Sequence, residues 1–162
     1  MGAQAGLTLL ELVIVIIILG LLAGVALPTL LAQASKAKES EAKQYIAATI
    51  RAQQTFYLER SEFTNSWEAL EIGLPNINGR LATTDYYEYE LRRFSNRVNR
   101  DGVSSLVGVR ITASPEDTDT LTGYRSKVWL DIDANGITSI QSVTCEGDIG
   151  RVPNMRGRTT CP

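Results

Sequence analysis

A single carboxylate interrupts the apolar N-terminal part of this sequence. Glu11 is the only charged residue among the first 34, and residues 12–35, which follow it, carry no charge. An acidic side chain at the centre of a membrane span costs about 2.5–3.5 kcal/mol, so such a residue usually has a partner. No basic side chain is near it in the sequence, but cleavage after Gly6 would create a new amino group on Leu7, four residues before Glu11. Leu7 and Glu11 are therefore candidates for a charge pair.

Two other interpretations of the apolar segment stay open. Ala32-Gln33-Ala34 has the small-x-small pattern of a secretory cleavage site, although residues 1–6 lack the positive charge that precedes the apolar core of a signal peptide. A simple single-span anchor would fit the length, because 24 helical residues extend about 36 Å and a hydrocarbon core is about 30 Å thick. That anchor would give no role to Glu11.

The other reactive residue types do not form a catalytic set. The chain has no histidine, which removes the usual general base and the commonest metal ligand. Neither cysteine has a candidate base, and no phosphate-binding glycine loop follows a strand pattern. Cys145 and Cys161 form an even pair, which in an exported domain favours a disulfide. The sequence therefore predicts a protein that is not an enzyme, and its net charge of −2 gives no global attraction to nucleic acid.

One acidic cluster has the spacing of a calcium loop. Asp131, Asp133 and Asn135 match the D-x-D-x-N-G start of an EF-hand loop, but the twelfth position is Ser142, where that loop needs a bidentate glutamate. The Asn-Gly pair is also a strong hairpin-turn signal between two strand patterns. We therefore expect a turn rather than a calcium site.

A basic stretch follows the first strand pattern. Arg92, Arg93, Arg97 and Arg100 surround Phe94, an arrangement that would suit DNA or an acidic glycan. The simpler interpretation, which we favour, is a solvated loop between strands.

A long helix and an antiparallel sheet are predicted to carry these residues. The helical pattern runs from Leu9 to near Glu59, about 75 Å long, apolar all round at first and amphipathic from Ser35. One face of the second part is formed by Ala42, Ile46, Thr49, Ile50, Gln53 and Tyr57. The charged residues between 36 and 43 are expected to form a solvated face, where residues three or four positions apart can pair.

Four strand patterns follow, at residues 84–91, 105–113, 124–132 and 136–143. In the first pattern Tyr87, Tyr89 and Leu91 alternate with polar residues, which predicts one buried and one solvated face.

The N-terminal motif resembles that of a known family. Residues 6–11, Gly-Leu-Thr-Leu-Leu-Glu, are similar to the prepilin cleavage motif of type IV pilins and type II secretion pseudopilins. Residues 39–75 resemble cyanobacterial pilins of the G/H-like group. The resemblance implies cleavage between Gly6 and Leu7, N-methylation of Leu7, and a role for Glu11 as the assembly residue.

The same resemblance gives a role to the small residues and the proline of the apolar segment. Pro28 falls where the family places a helix-bending proline, and it removes one backbone hydrogen bond. Gly20 and Gly24 form a G-x-x-x-G pair that lets helices approach closely. We expect the stretch from Gly20 to Pro28 to melt when subunits leave the membrane.

The fold implied is α+β, with a long N-terminal helix packed by an antiparallel sheet of about four strands. A C-terminal loop bounded by a Cys145–Cys161 disulfide completes it. The expected regions are a prepilin leader (1–6), a membrane and filament-core segment (7–34), an amphipathic helical segment (35–60) and a globular head (61–162).

The function implied is that of a structural subunit of a type IV pilus. Prepilin peptidase would process the chain, the bacterial inner membrane would hold it, and an assembly machine would polymerise it with other copies into an extracellular filament. That filament would serve motility, adhesion or DNA uptake. The alternatives are a pseudopilin of a type II secretion system and a minor pilin whose head binds DNA or a surface. No cofactor is expected.

Overall fold

The computed structural model describes residues 8–97, 105–132, 137–155 and 160–162. Helix α1 (Leu9–Arg60) comes first and is followed by a short 3-10 turn, Glu68–Leu70. Six strands complete the described chain: β1 (Ile77–Asn78), β2 (Leu81–Thr83), β3 (Tyr87–Arg97), β4 (Ser105–Pro115), β5 (Thr122–Ile132) and β6 (Thr138–Ile149).

By its internal contacts the chain divides into two units, Met1–Ala37 and Lys38–Pro162. In the first unit, the large apolar side chains from Leu9 to Leu31 are between 37% and 80% exposed. Such a helix builds no core of its own, and α1 is long and apolar enough to cross a membrane.

The second unit, which we call the head, contains a closed hydrophobic core. Ala42, Ile46, Thr49 and Gln53 are the buried residues of α1, and they belong to the face that the spacing predicts. The two apolar members of this set join a cluster of strand and loop side chains that includes Trp67, Tyr89 and Ile111. The helix ends at Arg60, where Ser61 adopts a left-handed φ of 56° and donates its backbone N–H to Tyr57 O at 2.7 Å.

The strands form one antiparallel sheet in sequential order, β1 to β6. The predicted alternation in β3 is confirmed, because Tyr87, Tyr89 and Leu91 are buried and Glu88 is exposed. The expected sheet of about four strands is confirmed as β3–β6, and the structure adds β1 and β2. These two strands have two and three residues, too few for a period of two to be visible in sequence.

Two polar anchors fix the loop after α1. The Gln53 amide donates to Thr64 O at 2.7 Å and accepts from Thr64 N at 3.2 Å. The buried Trp67 donates its indole N–H to Arg80 O at 2.9 Å and meets Tyr89 edge-on at 6.4 Å between ring centroids. The buried polar groups of Gln53 and Trp67 therefore have partners where burial would otherwise be costly.

Two charged residues of the amphipathic part of the helix contact the sheet. These are Glu39 and Lys43, which were expected to form surface pairs on the helix. Glu39 accepts the backbone N–H of Thr122 at 3.1 Å, and Lys43 pairs with Glu146 at 3.2 Å. These contacts connect residues far apart in sequence, so helical spacing could not reveal them.

Candidate functional site

Glu11 is held locally by a capping box at the start of α1. Its Oε2 accepts from Thr8 N at 2.9 Å and from Thr8 Oγ1 at 2.8 Å, and Thr8 Oγ1 accepts from Glu11 N at 3.2 Å. The carboxylate also lies at the positive end of the helix dipole. Glu11 thus has a neutral partner within its own chain, and the T-x-x-E spacing is the sequence signal for it. Thr8 was not among the site residues predicted from the sequence.

The cleavage site itself lies outside the described residues. The described residues begin at Thr8, after Gly6 and Leu7. Cleavage after Gly6 and methylation of Leu7 therefore stay predictions. The carboxylate of Glu11 is exposed in the isolated chain, which leaves it accessible to a cation from another subunit.

The small residues of the apolar segment have open surroundings. A Cβ added to Gly20 or Gly24 would meet no heavy atom within 4 Å, so neither glycine is required by packing within the subunit. Helix α1 is continuous through Pro28, and Thr29 Oγ1 donates to Ala26 O at 2.7 Å beside it. The predicted melting from Gly20 to Pro28 concerns the assembled filament and stays a prediction.

The predicted disulfide is present and closes the C-terminal segment. Cys145 in β6 bonds to Cys161, with the two Cα atoms 5.4 Å apart. Met155, between them, is almost fully buried, and its carbonyl accepts from the Lys127 amino group. A Cβ on Gly123 would lie 2.7 Å from Arg151 O, so the segment is packed against bare backbone. The C-terminal segment as far as Met155 is thus held by packing and a hydrogen bond as well as by the disulfide.

The basic stretch is divided by the sheet. The expectation of a loop is wrong for Arg92–Arg97, because β3 continues to Arg97 and pairs with Ser105. Arg92 Nε lies 2.6 Å from Glu90 Oε1. Arg93 points to the opposite face, where its Nη1 lies 3.9 Å from Glu62 Oε2. The side chain of Arg97 and all of Arg100 lie outside the described residues. Arg92 and Arg93 therefore do not share one patch.

The calcium candidate is only partly described. Asp131 is exposed in β5, opposite Ser139, while Asp133 and Asn135 lie outside the described residues. β5 and β6 pair antiparallel on either side of these positions, as the predicted hairpin requires. Whether calcium binds there stays a prediction.

Together, an apolar N-terminal helix with a capped glutamate, an antiparallel sheet on its amphipathic part and a C-terminal disulfide define the α+β fold class of the pilins. The chain matches the type IV pilin-like G and H family over residues 39–156 and the prokaryotic N-terminal methylation motif over residues 1–27. The first match covers more than half of the chain. The protein therefore belongs to the type IV pilin-like G and H family.

Two relatives are similar to the chain over less than half of its length. The Type IV major pilin protein PilA of Myxococcus xanthus (strain DK1622) is 40% identical over 74 residues, 46% of this chain and 33% of the relative. The Type II secretion system core protein G of Vibrio cholerae serotype O1 (strain ATCC 39315 / El Tor Inaba N16961) is 37% identical over 71 residues, 44% of this chain and 49% of the relative. The chain thus spans about a third and about half of these two relatives. No solved structure matches it.

Proposed function

We propose that this protein is a structural subunit of a type IV pilus. Prepilin peptidase cuts after Gly6 and methylates Leu7, the apolar helix holds the subunit in the inner membrane, and assembly machinery inserts it into an extracellular filament. The proposal is supported by the family match, the methylation motif and the similarity to a major pilin.

The observation that carries the proposal is the exposure of the first unit. Its large apolar side chains are 37–80% exposed, although burying such a side chain contributes about 1.5–3 kcal/mol. A lipid bilayer provides that burial before assembly, and the helices of other subunits provide it afterwards. Glu11 is the only charged side chain among residues 8–35, and in the filament the Leu7 amino group of a neighbouring subunit supplies its partner.

The first experiment is mass spectrometry of filaments sheared from cells. The proposal predicts an N-terminal peptide that begins at Leu7 and carries one additional methyl group. A peptide that begins at Met1, or after the small-x-small site at residues 32–34, would contradict it.

A pseudopilin of a type II secretion system is the second candidate, favoured by the similarity to core protein G. A deletion strain separates the two functions. Loss of surface filaments with normal protein secretion supports the pilus subunit, whereas loss of secretion alone supports the pseudopilin. Retained filaments with lost DNA uptake or adhesion would indicate a minor pilin.

A further inference from the structure

The two edges of the sheet are protected to different degrees. Strand β1 is only two residues long and follows Pro75 and Asn76, and Asn76 has a left-handed φ of 47°. Strand β6 has twelve residues, and in the described part of the chain its one strand neighbour is β5. Natural sheets protect an edge with short strands, prolines or charges, because its unpaired backbone groups can otherwise pair with another chain. Residues 138–145 of β6 include neither a proline nor a charged residue.

The backbone groups of β6 that face away from β5 follow from one hydrogen bond. Ser126 Oγ of β5 donates to Val143 O at 2.8 Å, so the carbonyl of Val143 points towards β5. Successive residues of an antiparallel strand point their N–H and C=O groups in opposite directions. The backbone groups of Thr138, Ile140 and Ser142 therefore point away from β5, at the edge of the sheet.

The C-terminal residues cover one part of this edge. Cys161 Sγ lies 3.6 Å from Thr144 O, whose carbonyl points away from β5 by the same alternation. Pro162 lines a surface cleft together with Glu146. The disulfide thus holds the C-terminal residues beside the edge from Thr144 onwards. Residues 138–143 are exposed or half-buried, and in the described part of the chain they pair with β5 alone. We call residues 138–143 the open edge.

A second copy of the same strand fits the open edge. In a two-fold antiparallel pairing centred on Ile140, the two copies of Ile140 lie opposite each other and Thr138 lies opposite Ser142. These three residues point their N–H and C=O groups towards the other copy, which gives about six backbone hydrogen bonds. The opposed side chains are compatible, since Thr–Ser pairs form hydrogen bonds across strands and the isoleucines bury apolar surface. Because the open edge is uncharged, the pairing brings no like charges of the two open edges opposite each other.

The small size of this contact indicates where it can act. A pair of such short strands buries far less than the roughly 1,200–2,000 Å² of a stable protein interface, so two isolated subunits should not dimerise by it. In a filament every subunit carries the same edge, and repeated weak contacts together give strong binding. A two-fold contact closes on itself, so it cannot propagate a filament and joins one filament to another instead.

We propose that the open edge of β6 pairs with the open edge of another copy of this chain and thereby joins two filaments side by side. This inference rests on the proposed function. It specifies the surface by which assembled filaments associate and the register in which the two strands meet.

Cysteine cross-linking of sheared filaments tests this register. Ile140→Cys places two sulfur atoms opposite each other, at a Cα separation of about 5.5 Å that a disulfide can bridge. Gln141→Cys is the matched control, because Gln141 lies opposite Ser139 in this register. The two copies of Gln141 are then about 7–8 Å apart, too far for a disulfide. After mild oxidation, a non-reducing gel should show about tenfold more linked dimer from Ile140→Cys filaments.

A proline substitution tests the backbone hydrogen bonds without adding a thiol. Ser142→Pro removes an N–H that points away from β5, and an edge strand tolerates proline at such a position. Ser142→Ala keeps this N–H and is the matched control. We expect wild-type and Ser142→Ala filaments to associate into bundles that sediment in a low-speed spin. Ser142→Pro filaments should stay in the supernatant.

The outcomes separate this contact from the proposed function. An intact Cys145–Cys161 disulfide, shown by peptide mapping, establishes that a variant has folded. Equal dimer from Ile140→Cys and Gln141→Cys, equal sedimentation of the two Ser142 variants, or only single wild-type filaments in electron micrographs would overturn the contact and leave the pilus function intact. A disulfide between the Ile140→Cys variant and a different protein would assign the edge to that protein and overturn the self-pairing. A wild-type strain without filaments would overturn the proposed function itself.

Discussion

The two units of this chain bury their apolar residues by different means. In the head, side chains such as Trp67, Tyr89 and Leu91 are fully buried within the chain itself. In the first unit, Leu9 remains 80% exposed and Leu21 70% exposed. Because burial of apolar surface is the main stabilising contribution to folding, the head is stabilised by its own sequence, whereas the first unit depends on a bilayer or on other subunits. Substitutions in the head should therefore change the free energy of unfolding, and substitutions in the first unit should change insertion or assembly.

The largest expected effect on the head is that of Trp67→Ala. The change removes a fully buried side chain and its hydrogen bond to Arg80 O, and we expect it to lower the free energy of unfolding by roughly 3–5 kcal/mol. Denaturant unfolding of the chain in detergent, followed by circular dichroism, measures it. Leu58→Ala is the control, because Leu58 is 78% exposed and should tolerate the change. Equal effects of both variants would contradict the assigned core.

The disulfide should contribute slightly less. Replacement of both Cys145 and Cys161 by serine removes a cross-link across a separation of 16 residues, which is worth about 3 kcal/mol in the chain-entropy model. Limited proteolysis should then cut near the C-terminus and spare the segment around Met155, which Lys127 also holds. An unchanged unfolding midpoint, or cleavage that begins in β5, would contradict this account.

A smaller effect is expected from the polar anchor between α1 and the following loop. Gln53→Leu keeps the volume of the side chain but leaves the backbone N–H and C=O of Thr64 without their partner. We expect this to lower the free energy of unfolding by about 1–3 kcal/mol. The neighbouring Gln54→Leu is the matched control and should change the free energy by less than about 0.5 kcal/mol. The denaturant midpoints of unfolding of the two variants are compared. A difference near zero would show that water replaces the hydrogen bonds of Gln53.

The smallest effect on the head is expected from the first unit. Gly20→Ala combined with Gly24→Ala introduces no clash, since nothing lies within 4 Å of the added Cβ atoms, and it should leave the unfolding of the head unchanged. The same change favours the helix by about 1 kcal/mol per site and should lower filament yield if this stretch melts during assembly. Normal filament yield would contradict the predicted melting. A shift in the unfolding midpoint of the head would contradict the distinction between the two units.

Local patterns in the sequence predicted much of this molecule. The spacing of Ala42 and Ile46 gave the buried helical face, and the alternation of Tyr87 and Tyr89 gave the buried sheet face. The pairing of Arg110 with Lys127 was not predicted, because the two residues are 17 positions apart and only the β4–β5 register makes them neighbours. The Lys43–Glu146 pair was missed for the same reason. Thr8 is different, since its T-x-x-E spacing to Glu11 is local and was available in the sequence.

Glu11 has the central role in the proposed assembly, and the capping box with Thr8 provides a control for it. Thr8→Val removes the Thr8 hydroxyl and its side-chain hydrogen bonds, at a cost of about 1 kcal/mol to the helix end, but keeps the carboxylate. Glu11→Val removes the charge that we assign to the Leu7 amino group of the next subunit. Both variants should reach wild-type levels in the membrane fraction.

The decisive measurement is the yield of sheared filaments from these two strains. The account predicts that Thr8→Val assembles filaments and that Glu11→Val inserts into the membrane but assembles almost none. Normal filament yield from Glu11→Val would contradict the account. An equal loss from Thr8→Val would show instead that Glu11 acts only as a helix cap.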